Sequence, residues 1–164
     1  MQNKETEKIV LVRKQKSPYI FIIISILIIL AIIVGFWFLK QKVDYVAYKN
    51  VKIGNETFKL EVADTVAARE KGLGYRDNLP KNQGMLFNFK QDGDWHIWMA
   101  NMHFNIDIAW LNKEGKIIHI KTNAEPGSYP EAYHTETPSW YVIETPAKSF
   151  ENLKINEGDI IEIN

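Results

Sequence analysis

The chain has 164 residues, with 20 Lys and Arg against 20 Asp and Glu, 4 His and no Cys, so its formal net charge is zero. The absence of cysteine removes disulfides, thiolate catalysis and cysteine-ligated zinc, and fits an oxidising exterior; there is also no Gly-x-Ser-x-Gly elbow and no phosphate-cradling glycine loop. The zero is a sum of opposites: residues 1–43 hold 7 basic and 2 acidic residues, and residues 44–164 hold 13 basic and 18 acidic, a net charge of −5 that argues against nucleic-acid binding by the second part.

In chain order, a basic tail over 1–18 leads into an uninterrupted apolar run, Tyr19 to Leu39. Its 21 residues, at about 1.5 Å per residue, span about 32 Å, the thickness of a bilayer core of about 30 Å. Sixteen of them are Ile, Leu, Val or Phe and none is charged, which favours insertion by roughly 5 to 10 kcal/mol. Lipid offers the backbone no other partner, so the run is expected as a single transmembrane helix with Tyr19 and Trp37 near its interfaces. A cleaved signal has a shorter apolar core and a small-x-small site, whereas this run ends in Gly35, Phe36, Trp37 and Phe38. An uncleaved anchor in the lipid bilayer is therefore expected. Five basic residues precede the span and four follow it closely (Lys40, Lys42, Lys49 and Lys52), which orients the N-terminus to the cytoplasm and the domain outside.

Residues 40–44 make a short linker, reaching only about 17 Å when fully extended, so the domain over 45–164 is expected close to the membrane. Within it the dominant hydrophobic period is two. Tyr45 to Ile53 and Thr57 to Val62 read as strands around a Gly54–Asn55 hairpin turn. A short helix follows over Val66 to Lys71, with Asp64 or Thr65 as N-cap and Gly72 closing it in the left-handed conformation. Further strands are expected at Met85–Phe89, His96–Ala100, Ile106–Leu111 and Lys116–Thr122, the last two joined by a turn over Asn112–Gly115. The stretch Ala124–Ser139, broken by three prolines, separates these from a strand at Trp140–Thr145, a helical turn at Ala147–Asn152 and a final strand at Ile160–Ile163.

Ala68 to Leu73, then Tyr75 and Arg76, Gly84 to Phe87, Trp98 and Met99, Asn101 and Met102, Ile106 to Ile108, Tyr141 to Glu144 and the pair Gly158–Asp159 together resemble the DUF192 (UPF0127) family. The resemblance covers about Val51 to Ile163. It implies a compact β-rich sandwich or barrel resembling a jelly roll, often behind a signal or anchor, and no settled biochemical activity. Two residues depart from the family pattern: Gly74 where Met is frequent, which bears on the width of any pocket there, and Lys148 where Gly is frequent, which bears on the turn after Glu144.

Two acidic residues draw attention. Asp107 lies inside an apolar strand, on the face of Asn105, Ala109 and Leu111 and opposite that of Phe104, Ile106, Ile108 and Trp110. A buried carboxylate costs several kcal/mol unless it is paired or hydrogen-bonded. The domain's two arginines, Arg69 and Arg76, are the candidate partners, Arg76 first. The alternatives are a structural ion pair, a solvent-facing Asp107 and a ligand-binding or catalytic role. Glu144 shares a face with Trp140 and Val142, and with Asp107 would supply the carboxylate pair needed for general acid–base hydrolysis.

His96, His103, His119 and His134 do not follow the short-range spacing of zinc sites, so neither a metal nor a cofactor is expected. The tryptophans and tyrosines fit either core packing or a cleft, with Trp98, Met99 and Asn101 as one wall and Tyr129–Tyr133 as a lid.

The composite expectation is a mainly β, compact antiparallel sandwich or barrel with one or two short helices, behind one N-terminal transmembrane helix. Its function is read as a non-catalytic binding or assembly module taking a small ligand, a glycan or a protein partner, with a hydrolase using Asp107 and Glu144 as the alternative. The polar cluster Arg69, Arg76, Trp98, Met99, Asn101, Asp107 and Glu144 is the candidate site, and no catalytic residue is assigned.

Overall fold

The computed structural model describes residues 19–39 and 46–163 of the chain. The basic tail 1–18, the linker 40–44, the start of the first strand at Tyr45 and the side chain of Trp37 lie outside the described residues. The chain divides into two compact units, one holding the N-terminal helix and the other the β domain.

Helix α1 runs over Tyr19–Leu39. Its side chains from Tyr19 to Phe36 are all exposed. Its length and composition suit it to cross a membrane. Ser25 satisfies its hydroxyl within the helix by donating to the Phe21 carbonyl at 2.8 Å, which removes the polar cost of that residue.

The β domain is built from β1 (Tyr48–Ile53), β2 (Glu56–Ala63), α2 (Val66–Lys71), β3 (Gln83–Gly93), β4 (Ile97–Trp98), β5 (Ile106–Leu111), β6 (Ile117–Ala124), β7 (Ala132–Tyr133), β8 (Ser139–Pro146) and α3 (Ser149–Leu153). Six strands form one sheet in the order β1-β2-β3-β8-β5-β6, and β4 pairs with β7 in a second. The fold is mainly β, as the hydrophobic pattern implies. The sheet is mixed: β2 and β3 run parallel while its other pairs are antiparallel. A parallel pair needs a crossover connection, and α2 lies in it.

Local chemistry explains the elements. The β1–β2 register closes at Ile53 opposite Glu56, and the loop has positive φ at Gly54 but not at Asn55, the glycine-first turn that matches strand twist. Thr65 caps α2 by accepting from the Ala68 N–H at 3.2 Å. Gly72 ends it with φ of 51° but ψ of −139°, so the positive φ is as expected and the backbone is not in the left-handed helical region. Lys148 does occupy that region, at φ 67° and ψ 7°, so the turn after β8 forms with a lysine where glycine would be unstrained. The expected final strand reduces to one bridge between Ile160 and Lys116, and the expected His96–Ala100 strand shortens to two residues. The proline-broken stretch holds a 3-10 turn at Pro126–Ser128 and β7.

Both faces of the large sheet are covered. One apolar layer contains Met85, Phe87, Ile108, Trp110 and Val142, and the other contains Phe58, Leu60, Ala109, Leu111, Ile143 and Phe150. Residues of β5 alternate between the two, as the period of two requires, and all six are buried. Buried this completely, β5 tolerates a carboxylate only where backbone donors meet it.

Candidate functional site

A cleft of about 290 Å³ opens on the first apolar layer, between α2 with its following turn and the β3–β4 segment. Phe87, Phe89, Trp95, Ile97, Trp98 and Met102 supply most of its apolar lining, and Arg69, Glu70, Lys71 and His96 add charge and polarity. The β3–β8 register shifts between Asn88 and Gly93, so this part of β3 leaves the ladder. Phe89 stacks on Trp95 with centroids 3.9 Å apart and planes 6° from parallel. Trp95 is fixed further, donating from its indole to the Ser139 carbonyl at 2.8 Å, while its own carbonyl accepts from the Trp110 indole at 2.9 Å. This wall is therefore rigid, whereas Trp98 is 47% exposed.

Glu144 also lines the cleft. Because Ile108 stands opposite Glu144 and Trp110 opposite Val142, and directly opposed residues share a face, the Glu144 side chain lies in the aromatic layer. It is only 4% exposed, and its Oε2 has no hydrogen-bond partner among the described residues. Burial pushes its carboxyl up to about 8, against a smaller opposing pull from the Arg76 charge. It is thus a neutral acid at pH 7, able to donate a hydrogen bond into an apolar hollow. Asn82, Ser139 and Thr145 have unpartnered buried oxygens as well, but Glu144 is the ionisable member of this group.

Arg76 approaches Glu144 electrostatically while its hydrogen bonds go elsewhere. Its two terminal nitrogens donate to Glu61 Oε1 and Oε2 at 2.6 and 2.7 Å, a bidentate pair. The Glu61 hydrogen bond holds the guanidinium above the usual arginine range. Arg69 donates to the Asn88 carbonyl at 3.1 Å and lies over the Phe89 ring at 5.1 Å.

The expected pairing of Asp107 with an arginine is therefore corrected. Asp107 is fully buried and accepts two backbone N–H groups, from Asn123 at 2.9 Å and from Phe150 at 3.1 Å. It ties β6 and α3 to β5 by satisfying their backbone donors, which a carboxylate can do without a cation. Asp107 stands opposite Thr145, one residue out of step with Glu144, so the two carboxyls point to opposite faces of the sheet. This geometry overturns the proposed Asp107/Glu144 catalytic pair.

Of the other expected site residues, Arg69 and Trp98 line the cleft. Met99 is in the core. Asn101 is an exposed turn residue at φ 58° whose carbonyl accepts from the Tyr75 N–H at 2.8 Å. The expected lid does not cover the cleft: Tyr133 packs at the edge of the core under Lys121, and Tyr129 is exposed.

This domain matches the model of the DUF192 family, described as an uncharacterized ACR, over residues 49–163. The chain belongs to the DUF192 family. Among curated proteins it is 28% identical over 105 residues to UPF0127 protein TK1120 of Thermococcus kodakarensis, a match spanning 63% of this chain and 63% of that relative's length. Two solved structures are similar. One is a Sinorhizobium meliloti 1021 protein provisionally named a transcription regulator, with TM-score 0.67, 28% identity, and coverage of 71% of this chain and 94% of that one. The other is a Novosphingobium aromaticivorans protein of unknown function, with TM-score 0.63, 26% identity, and coverage of 75% and 90%.

Within this DUF192 domain, Gly74 lines the cleft. A Cβ there would meet the Lys71 carbonyl at 3.0 Å and the Ala100 carbonyl at 3.2 Å, so a methionine at this position would require the turn to shift. Sequence spacing also missed a cluster beside the cleft. Asp94, His96 and His134 bring one ligand atom each to within 4.8 Å of one another. The third member arrives through the β4–β7 pairing, which no local pattern discloses.

Proposed function

We propose that this protein is a membrane-anchored binding module whose aromatic cleft takes a small, largely apolar ligand bearing one polar group for Glu144. The observation that carries the reading is Glu144 itself: a buried carboxyl whose Oε2 has no hydrogen-bond partner among the described residues, lining a hollow with Phe, Trp and Ile. An unmade hydrogen bond of this kind costs about 1–3 kcal/mol, and a ligand that completes it recovers that cost. As a neutral acid Glu144 suits a carbonyl or amide oxygen; by releasing its proton it suits an amine. Ligand sites are commonly apolar hollows with a few directed polar groups.

The uncharged 21-residue helix α1 supports anchoring in a bilayer, and the basic excess before it supports a cytoplasmic N-terminus with the domain outside. The domain's net charge of −5 disfavours nucleic acid as the partner.

The test is ligand-observed NMR on the full-length protein in detergent, using small apolar amides and amines as probes. Binding should quench the fluorescence of Trp95 or Trp98 and be abolished by Glu144→Ala in a protein that retains its circular dichroism. Probes whose binding survives Glu144→Ala would sink the cleft reading and turn attention to a protein partner.

A further inference from the structure

Asp94, His96 and His134 stand together at the open side of the β4–β7 ladder. Ile97 is opposite Tyr133 and Trp98 opposite Ala132, so one step further along this antiparallel pair His96 falls opposite His134. Directly opposed positions have Cβ atoms about 4.5–5.5 Å apart, and the two imidazoles do meet, with centroids 4.4 Å apart. Asp94, two residues before His96, puts one carboxylate oxygen 3.1 Å from His96 Nε2 and the other 3.3 Å from His134 Nδ1.

We infer that Asp94, His96 and His134 form a binding site for a divalent first-row transition metal, with Zn²⁺ as the representative ion. Bonds of about 2.0–2.1 Å to a tetrahedral ion place neighbouring ligand atoms about 3.3 Å apart; each histidine nitrogen already lies at about that distance from one Asp94 oxygen, and one ligand atom from each of the three residues lies within 4.8 Å of the others. Two imidazoles and one carboxylate suit zinc and its neighbours in the series; magnesium and calcium favour all-oxygen sets. The near-parallel stack, 11° between planes, is the arrangement that must yield: both rings have to tilt to aim their lone pairs at one point. All three side chains are exposed, by 45–56%, which leaves the rings room to turn.

Three protein ligands leave at least one position for water or an added donor. His96 also lines the cleft, so the ion would sit beside its mouth and add a Lewis-acidic contact for an oxygen or nitrogen there. Zinc binding does not depend on the cleft having a ligand, and the two readings fail separately. The structural alternative is a latch in which Asp94 accepts an N–H from each imidazole and joins β4 to β7.

The experiment is calorimetric titration of the full-length, metal-free protein, lacking any histidine tag, in detergent with ZnCl₂, and with MgCl₂ as the oxygen-preferring control. The expected result is one-to-one zinc binding and no magnesium binding. Zinc affinity should fall at least about tenfold in each of His96→Ala, His134→Ala and Asp94→Asn, the loss that even an outer-shell change produces. His119→Ala, which alters the separate His119–Glu157 pair, should bind as the unaltered protein does. No heat with zinc, or undiminished binding in both His96→Ala and His134→Ala, would overturn the site and leave the latch.

Discussion

Asp107 and Glu144 lie on adjacent paired strands yet face opposite layers of the sheet, one with two backbone donors on its carboxylate and the other with an oxygen that has no partner among the described residues. The two acids therefore answer substitution differently. In Asp107→Asn the amide oxygen keeps one N–H and the amide nitrogen confronts the other; in Asp107→Ala both N–H groups of Asn123 and Phe150 are stranded. A buried donor left unmade costs about 1–3 kcal/mol, so Asn should destabilise by about that amount and Ala by roughly twice it. Guanidinium denaturation followed by tryptophan fluorescence measures both, and equal midpoints for Asp107→Ala and the unaltered protein would refute the tie between β5, β6 and α3.

Glu144 should instead appear in the pH dependence of stability. Its folded-state pKa of about 8 exceeds the ordinary value of 4.5. Below pH 4.5 the carboxyl is protonated in both states, and the stabilisation of the protonated form is fully present. Between pH 4.5 and about 8 the unfolded chain has released its proton while the folded chain retains it, so stability falls by about 1.4 kcal/mol per pH unit. Above about 8 the contribution is gone and the slope vanishes. Glu144→Gln has no proton to release, so its stability relative to the unaltered protein should rise across that window and level off above it. Denaturation midpoints at a series of pH values give the difference directly; parallel curves would show that Glu144 ionises normally.

Arg76 moderates this shift through its charge alone. With its guanidinium committed to Glu61, it lowers the Glu144 pKa from a distance. Arg76→Met should push the Glu144 titration above about 8, readable as the midpoint of the side-chain carboxyl ¹³C shift. The same change leaves half-buried Glu61 without its partner, a loss between that of a surface pair and a buried one, about 1–3 kcal/mol. A titration midpoint that does not move would show that Arg76 is too well screened to act on the cleft.

What was legible in the sequence is what neighbouring residues decide. The limits Val66–Lys71 for α2 follow from the Thr65 cap and the Gly72 stop, and those of β5 from an unbroken apolar run. Glu144 was placed on its face by alternation with Val142. Long-range geometry was not available: nothing local distinguishes a parallel from an antiparallel β2–β3 pair, or tells Arg76 that Glu61 rather than Asp107 is in reach. The Asp94–His96–His134 grouping depends on a two-residue ladder that brings together histidines 38 positions apart in the chain. The weak end strand failed for a different reason: Ile160 is 68% exposed, so its apolar character reports no buried sheet face.

Gly84 is the residue whose lack of a side chain positions the site. It pairs with Leu60 on β2, and its neighbour Met85 pairs with Glu144 on β8. A Cβ at Gly84 would run into the Glu144 carbonyl and lie 2.9 Å from Leu60 Cδ2. Leu60 could rotate, but the carbonyl belongs to a ladder held on both sides by β3 and β5 and cannot move without displacing Glu144. Gly84→Ala should therefore cost about 1–3 kcal/mol, the penalty of overpacking a filled core. It should also disturb the Glu144 titration, because a displaced backbone carries the carboxyl with it. Stability lost with an unchanged Glu144 midpoint would mean that β3 shifts away from β8 instead and leaves the carboxyl in place.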